Sequence, residues 1–338
     1  MKIRTISLAL SFIMLFACAI AHAEETRIRV GYFPNITHSQ ALVGMANGAF
    51  QKELGDNVKI DAKIFNAGPS VIEALFAGEI DLSYIGPNPA INGYVKSKGE
   101  ALRIVAGATS GGAGLVVRDG SGIKTKDDFH GRKIASPQLG NTQDVALRGW
   151  LKDNGYKLKE KGGDVQVIPI ANPDQLMLFA KKEIDAAWTV EPWVTRLIKE
   201  GNGRLFLDER AIWPNGDFVT AHIIVSKKFL DVHPDLVKKW IAAHVDVTTW
   251  INANQAEAKK IVNSEIKRLT GKALPEDVIN DAFSRLKVTY DPIKDSLFNS
   301  ARWAFEQGFL GEKMPDLSDI YDLRLLKEVL SEKKLDTV

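Results

Sequence analysis

Five short stretches join a β-prone run to a helical pattern through a polar or glycine-bearing turn: FPNITHSQ (33–40), NAGPS (66–70), IGPNPAI (85–91), LGNTQD (139–144) and ANPD (171–174). A helix start leaves up to four backbone N–H groups unpaired and carries about half a positive charge. Several starts aimed at one point would hold an oxyanion without any Lys or Arg. Capping explains a single Asn or Thr before a helix, and for Asn172 with Pro173 capping is the favoured reading. Asn141 reads as an N-cap with Asp144 three residues later, whereas Gly140, Thr142 and Gln143 together exceed what a cap needs and point to a ligand. Asn88 reads as an N-cap before Pro89, and Gly86 and Asn88 stand evenly between cap and ligand. Pro69 suits a first helical position. AAWTVEPW (186–193) suggests a different chemistry, with Trp188, Glu191 and Trp193 just beyond a strand, where open α/β sheets collect ligands. Two indoles would form a wall there, and the carboxylate would seek a donor such as an amine, an amide or hydroxyls.

Other chemistry is thin. The sequence contains no GxSxG elbow, HExxH, GxxxxGK[ST] loop or GxGxxG after a strand. His38, His130, His222, His233 and His244 are scattered without metal-ligand spacing. His233 and His244, in or beside a C-terminal helix, read as solvated or capping. The expectation is a protein without catalytic residues, metal or cofactor.

The elements that would position these turns alternate strand and helix. RIRVGYF (27–33), VKIDAKIF (58–65), DLSYI (81–85) and LRIVAGA (102–108) form one set of β-like runs. GLVVR (114–118), RKIAS (132–136), VQVIPI (165–170) and IDAAW (184–188) form a second, and the alternation predicts an α/β fold with βαβ crossovers. Ala67, Pro69, Glu79, Ile80 and Asp81 recur as Ala171, Pro173, Glu183, Ile184 and Asp185, at an offset of 104. Thr37, Ala41 and Leu42 recur as Thr142, Ala146 and Leu147 at 105. The repeat predicts two α/β lobes whose helix starts face a shared cleft. After VTAHIIVS (219–226) the pattern is almost wholly helical, with Gly271 and Pro275 as punctuation. Trp240, Trp250 and Trp303 lie on apolar faces there and read as core.

Lys2 and Arg4 precede an apolar run from Ile6 to Ile20, and AHA (21–23) offers the small residues of a signal-peptidase site, so residues 1–23 read as a signal peptide. A rival reading takes LFAC, ending at Cys18, as a lipoprotein box. Of the 338 residues 44 are basic and 42 acidic, and removing Lys2 and Arg4 brings the two into balance, which argues against a nucleic-acid partner. Cleavage also removes Cys18, the one cysteine, and with it any disulfide or thiolate chemistry.

Taken in order, GYFPNITHSQAL (31–42), FNAGPSVIEALFAGEIDLSYIGPNPAI (65–91), ASPQLGNTQDVALRGWL (135–151), IDAAWTVEPW (184–193) and KKFLDVHPDLVKKWIAAHV (227–245) resemble the exported substrate-binding proteins of the nitrate, taurine and sulfonate group of ABC importers. The resemblance implies a two-lobed periplasmic-binding (type II) fold, each lobe a mixed sheet flanked by helices, with a helical C-terminal region and two crossing strands as hinge. It implies residues 24–113 plus 217–338 as lobe 1 and 114–216 as lobe 2. It further implies a periplasmic monomer that closes on a small solute and delivers it to a permease and its ATPase at the inner membrane. Carried over by position, the ligand-binding candidates are Asn35, His38, Gln40, Gly68, Ser70, Gly86, Asn88, Gly140, Asn141, Thr142, Gln143, Glu191, Trp193 and His222. The stretches that carry these candidates show no evident lysine, a departure from the nitrate and bicarbonate branch that suits an aliphatic sulfonate, and Glu191 could meet an amine as in taurine. Alternatives are nitrate, bicarbonate or a thiamine-pyrimidine precursor as solute, a sensory receptor, and a pyrimidine-synthase-like enzyme, whose cysteine cluster is missing here.

Overall fold

The structure, a computed structural model, describes residues 26–338, so residues 1–23, read above as a signal peptide, and Cys18 within them lie outside the described residues. The strands are β1 (Thr26–Tyr32), β2 (Val58–Ile64), β3 (Leu82–Ile85), β4 (Leu102–Gly111), β5 (Ala113–Arg118), β6 (Lys133–Ser136), β7 (Gln166–Pro169), β8 (Ala186–Val190), β9 (Gly203–Asp208), β10 (Val219–Ser226) and β11 (Leu286–Val288). They form a first sheet in the order β11-β4-β10-β3-β1-β2 and a second in the order β7-β6-β8-β5-β9. In the first, β1 runs parallel to β2 and β3, while β10 is antiparallel to β3 and β4. In the second, β6 runs parallel to β7 and β8, while β5 is antiparallel to β8 and β9. The two sheets therefore share one core plan, a mixed sheet with a parallel trio. Strands β9 and β11 are additions that the hydropathy pattern did not reveal.

The sequence repeat has a physical counterpart at its EID segments. The Arg29 N–H donates to Asp81 Oδ2 at 2.8 Å and the Asp81 N–H donates back to the Arg29 carbonyl at 2.8 Å. At an offset of 104, the Lys133 N–H donates to Asp185 Oδ2 at 3.0 Å and the Asp185 N–H to the Lys133 carbonyl at 2.8 Å. Each aspartate fixes where its strand enters beside the central one, which sets the register of the parallel trio.

The helices are α1 (Ser39–Ala46), α2 (Ala49–Leu54), α3 (Gly68–Phe76), α4 (Pro87–Lys96), α5 (Thr142–Asp153), α6 (Asn172–Ala180), α7 (Trp193–Lys199), α8 (Lys227–Val232), α9 (Pro234–Ala253), α10 (Gln255–Thr270), α11 (Glu276–Ser284), α12 (Lys294–Glu306) and α13 (Arg324–Glu332). The C-terminal helices cover the first sheet, with Trp240 of α9 stacked on Phe50 of α2 at 3.9 Å between ring centroids. Helix α12 reaches α5 of the other half: a Cβ on Gly149 would stand 2.7 Å from the Trp303 indole, and Lys152 pairs with Glu306 at 2.7 Å. The chain leaves the first sheet through Gly111 and Gly112, both in the left-handed region (φ +78° and +76°), where the Gly112 N–H donates to the Arg285 carbonyl at 2.8 Å. It returns through two 3-10 turns before β10. No described helix is long and apolar enough to cross a membrane.

Candidate functional site

The five turns all lie beyond the carboxyl ends of parallel-trio strands, β1, β2, β3, β6 and β7, and their helix starts converge. Between the halves they enclose a small chamber of about 20 Å³. Phe33, Asn35, Thr37, His38, Asn66, Gly86 and Thr220 line it from the first half, and Asn141, Thr142, Gln143, Asn172 and Val190 from the second. Helices α3, α4, α5 and α6 begin there with no side chain bonded to their first amides. None of these lining residues carries a charge at neutral pH, because burial pushes the His38 imidazole down to about 3. His38 Nδ1 accepts the Phe33 N–H at 3.3 Å, so the neutral ring carries its proton on Nε2 and remains a donor there. Thr142 Oγ1 is buried without a hydrogen-bond partner. A buried hydroxyl left unmatched is costly. Across the cleft, a Cβ built on Gly86 would lie 2.3 Å from that same oxygen, so the halves meet here only because residue 86 has no side chain.

A second cavity, of about 270 Å³, continues outward and shares Asn35, Asn66 and Asn172 with the chamber. Trp193, Pro173 and Pro192 form one wall of it, and Ile266 and Thr270 of α10 with residues 272–275 of the loop to α11 form the other. Trp193 is held from across the cleft, its Nε1–H donating to Asn35 Oδ1 at 3.2 Å. The Arg196 guanidinium lies 4.6 Å from its ring centroid and is itself bonded to Glu200 at 2.9 Å through two nitrogens.

Asn35, His38, Gly86, Asn141, Thr142, Gln143 and Trp193 of the sequence candidates thus meet at these cavities. The others do not. Gln40 donates its amide to the Ala108 and Thr289 carbonyls at 2.6 and 3.2 Å and ties α1 to the sheet and a following loop. Gly68 is a packing glycine, since a Cβ there would stand 2.4 Å from the Pro89 ring. Ser70 is half-buried on α3 and lines neither cavity. Asn88 is not the N-cap: α4 begins at Pro87 with Gly86 capping, and Asn88 Nδ2 donates to the Ser300 carbonyl of α12 at 3.2 Å. Gly140 is required by its φ of +72°, and its N–H is already given to Asp144 Oδ2 at 2.9 Å. His222 is fully buried between β3 and β4, two residues past the chamber residue Thr220, with its ring 6.1 Å from that of Tyr321.

Glu191 is the largest departure. Its carboxylate is fully buried and accepts the Thr195 N–H and Oγ1–H at 3.1 and 2.9 Å and Arg285 Nη1 at 3.0 Å. It caps α7, pairs with a cation from the other half and lines neither cavity, so the carboxylate is not presented to an amine there. Trp188 is likewise core, its Nε1–H given to Glu209 at 2.8 Å. His244, rather than solvated, is buried, with Nε2 at 2.9 Å from the Gly107 carbonyl and Nδ1 at 3.1 Å from the Tyr84 hydroxyl. Asn172, read as a cap, lines both cavities while its Oδ1 accepts from Thr189 Oγ1 at 2.9 Å. Asn66 and the 270–275 loop carried no signal in the sequence beyond, for Asn66, its place at the same kind of strand-to-helix turn.

Two like sheets that close neutral donors around a small chamber are the architecture of a solute-binding protein. The model of the NMT1-like family matches residues 21–265, and the chain belongs to that family. A Brucella abortus (strain 2308) protein named as a binding protein is 29% identical over 269 residues, covering 79% of this chain and 80% of its own length. The taurine-binding periplasmic protein of Escherichia coli (strain K12) is 25% identical over 328 residues, 94% of this chain and 95% of that one. Among solved structures, the alkanesulfonate-binding protein SsuA from Xanthomonas axonopodis pv. citri, bound to MOPS, matches with a TM-score of 0.73 at 20% identity, covering 87% of this chain and 97% of that chain. All three are named as binding proteins.

Proposed function

We propose that this protein is the periplasmic solute-binding component of an ABC importer and that its solute is an organic oxyanion, with a sulfonate as the head group. In this reading residues 24–113 with 217–338 and residues 114–216 act as two lobes that close on the solute, and the closed form engages a membrane permease. The observation that carries it is the chamber itself: helix-start amides, Thr142 and the His38 Nε2–H converge from both halves, and no ionised side chain lines it. A sulfonate is fully ionised at any physiological pH and accepts in every direction, so it needs donors and no base. Closure is favoured because only the closed form makes both sets of contacts. Kinship with binding proteins for taurine and alkanesulfonates supports the class of solute. The amine of taurine loses its expected partner, since Glu191 is committed to Arg285 and Thr195.

The test is thermal shift followed by calorimetry with methanesulfonate, nitrate and bicarbonate. Methanesulfonate should stabilise the fold by about 2.7 kcal/mol at a hundredfold excess over Kd. Stabilisation by nitrate or bicarbonate with none from sulfonates would overturn the reading.

A further inference from the structure

We propose that the outer cavity is a subsite for an uncharged, apolar, ring-sized substituent on the solute, and that Trp193 with the α10–α11 loop selects it. The inference rests on the chamber being the oxyanion site. Its first support is size. An apolar cavity of about 150 Å³ accepts benzene, and the outer cavity measures about 270 Å³. Taurine's two-carbon tail would leave most of that space to water.

The second support is the chemistry of the walls. Trp193, Pro173, Ile266 and Leu274 present apolar surface. The indole is held by Asn35 at its Nε1 edge and by the Arg196 guanidinium over its ring, so it meets a flat substituent already oriented. Of the charged residues that line the cavity, Arg196 is bonded to Glu200 through two nitrogens at 2.9 Å each, and Lys272 adds a second cation on the loop side. A tail bearing an ammonium group would therefore enter a cavity lined by two cations and one already paired carboxylate, whereas an aryl or branched alkyl tail displaces only water.

The third support is continuity. Asn35, Asn66 and Asn172 line both spaces, so a head seated in the chamber directs its substituent outward past them. Asn35 joins the two functions, with Oδ1 fixing the tail wall and its amide left to face the head.

The experiment is calorimetry on the full mature chain with methanesulfonate, taurine and benzenesulfonate. Benzenesulfonate should bind at least about tenfold more tightly than methanesulfonate, the return expected from burying part of one ring. Taurine should bind no more tightly than methanesulfonate. Ala273→Trp, which fills the loop side of the cavity, should weaken benzenesulfonate several-fold and spare methanesulfonate. Trp193→Ala should erase the advantage of the ring. Equal affinities for methanesulfonate and benzenesulfonate, or taurine as the tightest, would overturn the tail subsite and leave the oxyanion reading standing. Binding of none of the three would overturn both.

Discussion

Thr142 and Glu191 are both buried polar residues of the second half, both close to residues of the first, and their chemistry is opposite. Thr142 Oγ1 has no partner and faces the chamber. Glu191 has both oxygens engaged, by Thr195 and by Arg285. The first is an unfinished hydrogen-bond set that a solute can complete; the second is a finished knot that joins the halves beside their crossover. What separates the two is remaining hydrogen-bonding capacity at the chamber wall, since burial and position at a strand end are common to both. Capacity alone does not suffice, because Gln40 Oε1, Asn88 Oδ1 and both His222 nitrogens are also buried without partners yet line neither cavity.

The comparison would break first at Glu191. Glu191→Ala leaves Arg285 with an uncompensated partly buried charge and should cost about 3–5 kcal/mol of stability. Denaturant unfolding of the unliganded protein checks this, and a large loss of sulfonate affinity with stability intact would return Glu191 to the ligand. At Thr142 the expectation is reversed. Thr142→Ala should weaken the solute by about 1.5–3 kcal/mol, the range for a hydrogen bond to a charged group, and leave unliganded stability unchanged or higher, because it removes an unmatched buried hydroxyl. Calorimetry paired with unfolding separates the two, and a steep fall in stability with affinity held would make Thr142 a cap.

Glu209 sharpens the contrast among buried carboxylates, because it lacks the cation that Glu191 has. It accepts only the Trp188 and Trp213 indole N–H groups, at 2.8 and 3.2 Å, and burial pushes it up to about 7. Its folded value lies above its unfolded one, so its favourable contribution is full below about pH 4.5 and is lost as pH rises through about 7. Relative to Glu209→Gln, the protein should therefore lose about 2 kcal/mol of stability between pH 5 and pH 8. Unfolding both at the two pH values measures the difference, since whatever the amide itself costs is constant with pH. His38 moves the other way: with its folded value near 3, binding should not strengthen as pH falls from 8 to 5.5, as it would if an imidazolium held the anion.

Much of the scaffold was legible in the sequence because its signals are local. The strand and helix alternation, the Asp81 and Asp185 repeat and the strand-to-helix turns all follow from residues within one element or its neighbour. Individual side chains were harder. Gln40 and His38 lie two residues apart on one short helical segment, and only the direction each leaves the backbone decides that one meets the chamber and the other the Ala108 carbonyl. Glu191 misled because the cation that neutralises it, Arg285, lies 94 residues later. The outer cavity was invisible for the same reason: Leu274 and Trp193 are brought together by packing, with no shared motif. Asn172 was undecidable in principle, because a residue at a helix start can face a cleft whether or not it also resembles a cap.

Gly86 has a consequence for the molecule as a whole. With a Cβ there at 2.3 Å from Thr142 Oγ1, a single methyl group would prop the halves ajar at their centre, within the lining of the chamber itself. The position works as a caliper: its hydrogen sets how narrow the closed form can become, and so the smallest head the protein can grip from both sides. Changing the calibre of the site thus requires no change in any hydrogen-bonding side chain that faces the chamber.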